Sequence, residues 1–167
     1  MRGEGNQALL LFAIVLDIRN KRGILLMKTT AKIKVRYSET DQMGIVHHSQ
    51  YVNWFEVGRT DYIKQLGLTY REIETAGYYL PVIGVQVSYS NPAKYDDLIT
   101  IETSLHSYNG VRLSFQYKAF READGARIAE GITEHCWTTT AMQPVKMQRK
   151  WPELHHLLEE AFAETNV

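Results

Sequence analysis

The sequence predicts an α+β domain in which one antiparallel sheet packs against one long helix. Five segments alternate apolar and polar residues, one segment has helical apolar spacing, and short turn sequences join the later strands. The elements run as one strand, one long helix and then four strands. This order is typical of an antiparallel sheet that covers a helix on one face.

Each predicted strand places apolar side chains at every second position, as in a half-buried strand. The segments are 31–37, 83–89, 99–106, 111–119 and 126–140. Asn109–Gly110 and Asp124–Gly125 are hairpin turn sequences, and Asn91–Pro92 marks another turn. A single sheet leaves its edges unpaired, so we expect a symmetric homodimer.

From Ser49 to Leu66 the spacing of apolar residues becomes helical. One face carries Tyr51, Phe55, Gly58, Tyr62 and Leu66, and the stripe is widened by Trp54, Val57 and Ile63. Glycine lowers helix stability, so Gly58 predicts a close approach of this helix to the sheet. Thr69 and Glu72 form a capping box for a short second helix that ends near Gly77.

The composition is that of an ordinary globular protein of 167 residues. Nineteen basic residues balance nineteen acidic ones, so no global field favours a nucleic acid or an anionic membrane. Cys136 is the only cysteine, which excludes an internal disulfide framework and fits a reducing compartment. We therefore expect a cytoplasmic protein.

Residues 1–27 differ from the rest of the chain. The apolar run at residues 8–16 is too short to span a bilayer, which takes roughly 20 residues. It leads into a charged segment instead of a small-residue cleavage site, which argues against a secretory signal. We interpret residues 1–27 as an N-terminal extension, with Met27 as an alternative start, and residues 28–167 as one domain.

The segment from Tyr37 to Arg59 is the richest in reactive side chains. Asp41, His47 and His48 lie on the loop that leads into the long helix, and Tyr51 lies in its first turn. Unpaired N–H groups at a helix start can polarise a carbonyl and hold an oxyanion, and a nearby carboxylate can act as nucleophile or base. The alternative is that Asp41 only caps a turn or the helix.

Other chemistries find less support in the sequence. His47–His48 lacks a third ligand at metal-like spacing, and His155–His156 fits the polar side of a terminal helix that begins near Pro152. Cys136 lies in a predicted strand, where a buried thiol is the ordinary outcome. Neither a Gly-x-Ser-x-Gly elbow nor a phosphate or dinucleotide loop is present. We therefore expect no metal and no cofactor.

One motif within this segment resembles a known family. Its residues are Tyr37, Asp41, Gly44, Val46, His48, Tyr51, Trp54, Glu56, Gly58 and Arg59. At this spacing they resemble the acyl-CoA thioesterases of the hotdog superfamily, in the 4-hydroxybenzoyl-CoA thioesterase and YbgC-like group. Weaker similarity lies around Val87 to Leu98 and at Glu130–Gly131, so the resemblance covers about residues 31–146.

The resemblance implies a hotdog fold, a five-stranded antiparallel sheet wrapped around one long central helix. It implies homodimers joined edge to edge, often paired into tetramers, with active sites at the dimer interface. The implied reaction is acyl-CoA hydrolysis, with Asp41 as nucleophile or as the base that activates water. Backbone N–H groups from His48 through Ser49 to Tyr51 would form the oxyanion hole.

The resemblance also suggests roles for His48 and Tyr51, whereas the roles of Glu56 and of the basic residues below are inferred from the residues themselves. His48 would orient the thioester and Tyr51 would shape the acyl pocket, while His47 stands where relatives often have tyrosine, which leaves the acyl preference open. Glu56 would pair with Arg59 or assist water activation from the partner subunit. The residues that could bind the CoA phosphates are Lys94, Arg112, Lys146, Arg149 and Lys150.

Two alternative functions share this fold. The first is a thioesterase that acts on acyl-carrier-protein thioesters, which would need a basic docking surface. The second is a non-catalytic hotdog scaffold that binds acyl chains or proteins. Hotdog dehydratases carry a histidine on the central helix, and the helix predicted here has none.

Overall fold

Five strands form one antiparallel sheet with the order β1-β4-β5-β6-β3. These strands are β1 (Thr29–Lys34), β3 (Val82–Tyr89), β4 (Leu98–Tyr108), β5 (Arg112–Arg121) and β6 (Arg127–Cys136). A separate ribbon joins β2 (Tyr78–Tyr79) to β7 (Thr138–Thr139). The computed structural model describes residues 28–165, so the predictions made for residues 1–27 lie outside the described residues.

Four helices accompany the sheet within the described residues. They are α1 (Gln50–Gln65), α2 (Tyr70–Thr75), α3 (Met147–Lys150) and α4 (Pro152–Thr165). The helix α1 begins and ends within one residue of its predicted bounds. Between residues 28 and 165, no helix is both long and apolar enough to cross a membrane.

The core lies between α1 and the inner face of the sheet. Along β4 the alternating side chains of Ile99, Ile101 and Leu105 are fully buried, as their period of two predicts. The ring of Phe55 on α1 stacks on the ring of Tyr117 on β5, with centroids 4.5 Å apart. The predicted combination of one antiparallel sheet and one central helix is therefore confirmed.

Gly58 brings α1 close to the sheet. A Cβ atom at this position would collide with Thr103 Oγ1 and would lie 3.0 Å from Ile101 Cγ2, both on β4. The predicted close approach is confirmed, because only glycine leaves space for these two side chains. Since overpacking a core costs about 1–3 kcal/mol, the glycine stabilises the packing despite its poor helix propensity.

The predicted turns and caps are also present. The Thr69 side chain accepts a hydrogen bond from the Glu72 backbone N–H, and the Glu72 carboxylate accepts one from the Thr69 N–H, which completes the capping box of α2. In the β4–β5 turn, Asn109 Oδ1 accepts bonds from the N–H groups of Val111 and Arg112. Gly110 there has φ +84°, which glycine adopts without strain.

Three predictions about element bounds and faces are wrong. The strand predicted for 126–140 is broken at the buried Trp137, whose N–H bonds to Val111, and only its last part pairs with β2. Tyr37 belongs to a 3₁₀ turn instead of β1 and is 78% exposed. Val57 is 46% exposed, because the sheet covers a narrower arc of α1 than the apolar stripe suggests.

The edge strand β3 has the predicted alternation but not the predicted burial. Val82, Ile83, Val85 and Tyr89 all expose about half of their side chains. On one side β3 pairs with β6, and its other edge has no strand partner among residues 28–165. An apolar edge of this kind is open to pairing with another chain.

Candidate active site

Asp41 lies on a tight turn that backbone hydrogen bonds hold on both sides. Its N–H donates to Ile45 O at 2.9 Å, and its own carbonyl accepts from the Gly44 N–H at 2.9 Å. Gly44 has φ +74°, which the turn requires. Thr40 and Val46 form a bridge at the base of this turn. The Asp41 side chain is therefore held in place by its backbone.

The Asp41 carboxylate is partly exposed and only partly engaged. Oδ1 accepts a hydrogen bond from the Met43 N–H at 2.8 Å, which is the turn-capping role considered as the alternative for this residue. Within residues 28–165, Oδ2 has no hydrogen-bond partner. The turn capping thus occupies one oxygen and leaves the other accessible to a bound molecule.

A buried carboxylate that the sequence did not single out supports this loop from beneath. Glu39 accepts a hydrogen bond from the Arg36 N–H at 2.7 Å and another from Trp54 Nε1 at 3.1 Å. The Glu39 carbonyl also accepts from the His47 N–H. Glu39 therefore ties the two ends of the Asp41 loop to α1. Its spacing of fifteen residues from Trp54 carries no local pattern that would have revealed it.

The two histidines lie exposed between the Asp41 turn and the helix. Their rings are in contact, with centroids 4.1 Å apart. His47 Nδ1 shares a hydrogen bond of 2.8 Å with Ser49 Oγ, while the His48 carbonyl accepts from the Tyr89 hydroxyl at 3.0 Å. The loop is thereby connected to the end of β3. Both histidines and Asp41 lie on the one loop that precedes α1.

The start of α1 has no side-chain cap. Ser49 is the N-cap residue, but its hydroxyl bonds to His47 and not to a helix N–H. The Gln50 N–H donates to the His47 carbonyl at 3.0 Å, and the Ser49 N–H approaches His47 Nδ1 at 3.4 Å. The Tyr51 N–H comes next along the helix. First-turn N–H groups carry the positive end of the helix dipole, so this end favours a negatively charged oxygen.

Tyr51 lies beneath the loop and not at the surface. Its ring is buried and packs against Trp54 and Tyr89, with centroids 4.9 and 5.1 Å away. Burial raises the pKa of the Tyr51 phenol, which keeps it protonated at neutral pH. The side chain therefore packs the start of α1 against Trp54 and Tyr89.

Glu56 and Arg59 lie in a different part of the molecule. Both line a cleft of about 630 Å³ whose walls include neither Asp41 nor His48. The predicted Glu56–Arg59 pair is wrong, because Arg59 Nε donates to the Tyr70 hydroxyl at 2.8 Å and no ion pair joins it to Glu56 among residues 28–165. The site residues named from sequence therefore fall into two groups.

The basic residues considered for the CoA phosphates are all exposed. One lies near the Asp41 turn and the others lie elsewhere in the fold. Lys94 follows Ala93, whose carbonyl accepts from Val46 beside the Asp41 turn. Lys146, Arg149 and Lys150 lie on or next to α3, which the Met147 N–H attaches to the β4–β5 turn at Gly110. Lys94 is the one of these residues that lies near Asp41.

In the part of the chain that the structure describes, no group of three or more His, Cys, Asp or Glu side chains is placed to hold a metal ion. Cys136 is a free, buried thiol at the end of β6. His155, predicted on the polar side of the terminal helix, is instead buried and bonds to the Tyr108 hydroxyl at 3.0 Å. Of the two histidines, only His156 lies on the polar side of α4.

The family model of the thioesterase-like superfamily matches residues 35–157. A putative acyl-CoA thioesterase, YneP of Bacillus subtilis, is 35% identical over 130 residues, which are 78% of this chain and 94% of that protein. The acyl-CoA thioesterase YbgC of Haemophilus influenzae is 31% identical over 90 residues, covering 53% of this chain and 66% of its own length.

Among solved structures, a DHNA-CoA thioesterase from Staphylococcus aureus superposes with a TM-score of 0.79 at 31% identity, over 83% of this chain and 93% of that one. The residues that match the family model, 35–157, contain the Asp41 turn, α1 and the whole sheet except β1. The chain therefore belongs to the thioesterase-like superfamily, as an enzyme with the hotdog fold.

Proposed function

We propose that this enzyme hydrolyses acyl-CoA thioesters to a carboxylic acid and CoA, with the Asp41 carboxylate as its reactive group. The observation that carries the proposal is the position of Asp41, on a fixed turn that leads directly into the uncapped start of α1. The names of relatives from Bacillus subtilis and Staphylococcus aureus, both thioesterases for CoA esters, support the substrate class.

The helix start would bind the carbonyl oxygen of the thioester. Because the Gln50 and Ser49 N–H groups already face His47, the Tyr51 N–H is the donor that we assign to this oxygen. Negative charge develops on the oxygen as the carbonyl is attacked, and the positive end of the helix dipole stabilises that charge. His48, exposed beside the helix start, would orient the thioester.

Asp41 can act by two routes. As a nucleophile, its free oxygen Oδ2 attacks the carbonyl carbon, the C–S bond breaks, CoA leaves as a thiolate that takes up a proton, and water then hydrolyses the mixed anhydride. As a general base, Asp41 takes a proton from water while that water attacks, and the proton passes to the leaving sulfur. Neither route needs a metal or a cofactor, so a chelator should leave the rate unchanged.

We assign the edge of β3 to a homodimer. The edge of β1 carries exposed Lys28, Lys32 and Lys34, which discourage strand pairing, whereas β3 exposes apolar residues. A two-fold axis normal to the sheet would pair β3 with its copy in antiparallel orientation. This pairing brings the Tyr89 end of one strand, next to His48, toward the partner's Val82 end.

The dimer therefore has a consequence for the active site. Leu80 and Pro81, directly before Val82, line the cleft that contains Glu56 and Arg59. In the antiparallel dimer the cleft of one protomer faces the Asp41 loop of the other. Each active site would then combine the Asp41 turn of one chain with the cleft of its partner, and Glu56 would lie on the partner's side. Two such dimers could pair into the tetramer implied by the family.

Thiol release from a panel of aromatic, short-chain and long-chain acyl-CoA esters tests the proposal. We expect hydrolysis of at least one class, and no activity on any, with acyl-CoA binding retained, would identify a non-catalytic scaffold instead. Faster hydrolysis of the same acyl groups on acyl-carrier protein would overturn the CoA assignment. In a single turnover in ¹⁸O-labelled water, label recovered in the Asp41 peptide would identify the nucleophilic route.

A further inference from the structure

A cleft of about 630 Å³ opens beside the second half of α1, away from the Asp41 turn. Part of its wall is apolar and aromatic, and part is charged. The lining residues are Glu56, Arg59, Thr60, Tyr70, Ile73, Glu74, Tyr78, Tyr79, Leu80, Pro81 and Met142. This volume is within the range of small-molecule sites, which take an apolar body and a few placed polar groups.

Arg59 is the unusual member of this lining. Its side chain is only 8% exposed, although arginine is rarely buried unless it is paired. Within residues 28–165 no carboxylate lies within ion-pair distance of its guanidinium. Its hydrogen-bond partner is the Tyr70 phenol, from whose ring centroid the guanidinium lies 5.8 Å away, and the Tyr117 phenol lies close by. A buried cation therefore faces the cleft without a negative charge to balance it.

Behind Arg59 lies a line of hydrogen-bonded side chains in the core. Tyr117, whose phenol lies close to Arg59, shares a hydrogen bond of 2.8 Å with Thr133 Oγ1, and Thr133 Oγ1 shares another of 2.8 Å with His135 Nε2. None of these three side chains carries a negative charge, so none balances the charge of Arg59.

Tyr70 adds a second donor at the same wall. Its oxygen accepts from Arg59 Nε, so its own proton is free to point elsewhere. Burial raises the pKa of the Tyr70 phenol, although the charge of Arg59 opposes that shift, and the group stays protonated at neutral pH. A guanidinium edge and a phenol O–H are the donors that a carboxylate accepts from most readily.

We propose that this cleft receives the far end of the acyl group and that Arg59 and Tyr70 bind a carboxylate there. The substrate class would be acyl-CoA esters whose acyl chain ends in a carboxylate. The apolar side chains of Ile73, Leu80 and Met142 would contact the methylene chain. This inference rests on the proposed thioesterase function, since the cleft of one protomer would serve the Asp41 loop of the other.

Two carboxylates on the cleft wall repel a bound anion and so reduce the strength with which Arg59 can bind a carboxylate. Glu56 and Glu74 are both exposed, so water screens their charges. The charge of Arg59 is buried, where pair interactions are screened much less. The attraction of an anion to the buried charge of Arg59 therefore outweighs its repulsion by the two screened glutamates. Replacing Glu74 by glutamine should increase the preference for the carboxylate, because it removes the like charge at the wall.

The test compares thioesters of equal chain length that end in a carboxylate, a hydroxyl or a methyl group. We expect wild-type kcat/KM to favour the carboxylate-ended ester at the best chain length. Arg59→Met should reduce that preference by about tenfold to a hundredfold, because it removes a bond to a charged group. Arg59→Lys, which keeps the charge, and Tyr70→Phe, which removes one donor, should each lose part of the preference. Those two variants decide the question if Arg59→Met does not fold.

Arg71→Met is the matched control, since Arg71 is an exposed arginine on α2 that does not line the cleft. Its preference should equal that of the wild type. An equal or greater preference for the hydroxyl-ended or methyl-ended ester would overturn the proposal. So would an unchanged preference in all the Arg59 and Tyr70 variants. A change of oligomeric state in Arg59→Met without a change of preference would show that a carboxylate of the partner chain pairs with Arg59.

Binding separates this inference from the proposed function. The dissociation constants of non-hydrolysable thioether analogues of the same three esters can be measured by calorimetry on the wild type and on Arg59→Met. If Asp41 is not the reactive group, the ratio of these constants still reports on Arg59. A carboxylate preference in binding that Arg59→Met abolishes would therefore support the cleft assignment even where the assignment of Asp41 fails.

Discussion

The Asp41 loop and the cleft lined by Arg59 carry opposite charges, and these charges differ in their exposure to solvent. Asp41 is partly exposed, on a surface turn that backbone hydrogen bonds fix, with one oxygen free among the described residues. Arg59 is buried, bonds to the Tyr70 hydroxyl and lies close to a line of hydrogen-bonded side chains that runs from Tyr117 through Thr133 to His135 in the core. The proposed reactive group is held by the backbone beside the start of α1, whereas the proposed recognition group is held by other side chains.

The difference in exposure suits two different roles, reaction with the thioester and selection of the acyl group. A carboxylate that reacts must reach substrate and water, so exposure suits it. A cation that selects an acyl group gains strength from burial, because little solvent screens it. The following predictions separate the two regions, in order of decreasing effect.

The largest effect is expected at the strand that would join them. Val85→Lys places a charge in the proposed β3 interface and should weaken the dimer by about a hundredfold or more. Activity should fall with it, because each Asp41 loop loses the cleft of its partner. Analytical ultracentrifugation and thiol release measure both effects on the same samples. Lys32→Gln on the edge of β1 is the control, and dimer loss there would place the interface on the wrong edge.

The network behind Arg59 predicts a dependence of stability on pH. Burial first, and then the positive charge of Arg59, lower the pKa of His135 to about 4, from 6.5 for a free histidine. The unfolded chain therefore binds a proton that the folded chain does not, and stability is lost as pH falls from 6.5 toward 4. The difference of about 2.5 units corresponds to about 3 kcal/mol.

Thermal unfolding between pH 7 and pH 4 measures this effect. His135→Gln keeps a side-chain acceptor for Thr133 and should flatten the dependence, whereas the exposed His156→Gln should leave it unchanged. An identical slope in wild type and His135→Gln would show that other groups control acid unfolding.

The smallest effect is expected at the support of the Asp41 loop. Glu39→Gln keeps one acceptor oxygen for Arg36 or Trp54 and loses the other, so it should cost about 1–2 kcal/mol of stability. The Asp41 turn should loosen and kcat should fall by about tenfold, with the preference between acyl groups unchanged. Chemical denaturation and steady-state kinetics provide the two readouts. A changed acyl preference would contradict the separation of the two regions.

Sequence patterns predicted the features that depend on neighbouring residues. The bounds of α1, the capping box at Thr69 and Glu72, and the two glycine turns all arise from contacts within a few residues. The motif around Asp41 and His48 was identified for the same reason, because the loop and the helix start are adjacent in the chain. The placement of these residues together needed no long-range contact.

The features that sequence analysis missed depend on contacts between distant residues. Arg59 comes close to Tyr70 and Tyr117 only because α1, α2 and the sheet pack together, so its apparent neighbour Glu56 is not its partner. The threonines that follow Trp137 are β-branched residues that favour a strand, and they therefore conceal the break between β6 and β7. The split between the Asp41 turn and the Glu56 cleft likewise follows from the fold and not from the motif.

The most direct test of the account is hydrolysis of acyl-CoA by Asp41→Asn. The substitution keeps an oxygen for the Met43 N–H, so the turn and the melting temperature should be preserved. We predict that kcat falls by about 10²–10⁴-fold while acyl-CoA binding stays close to that of the wild type. Asp61→Asn, on α1 and bonded to Gln65, is the matched control and should retain full activity. A folded Asp41→Asn enzyme with near-normal kcat would contradict the central claim.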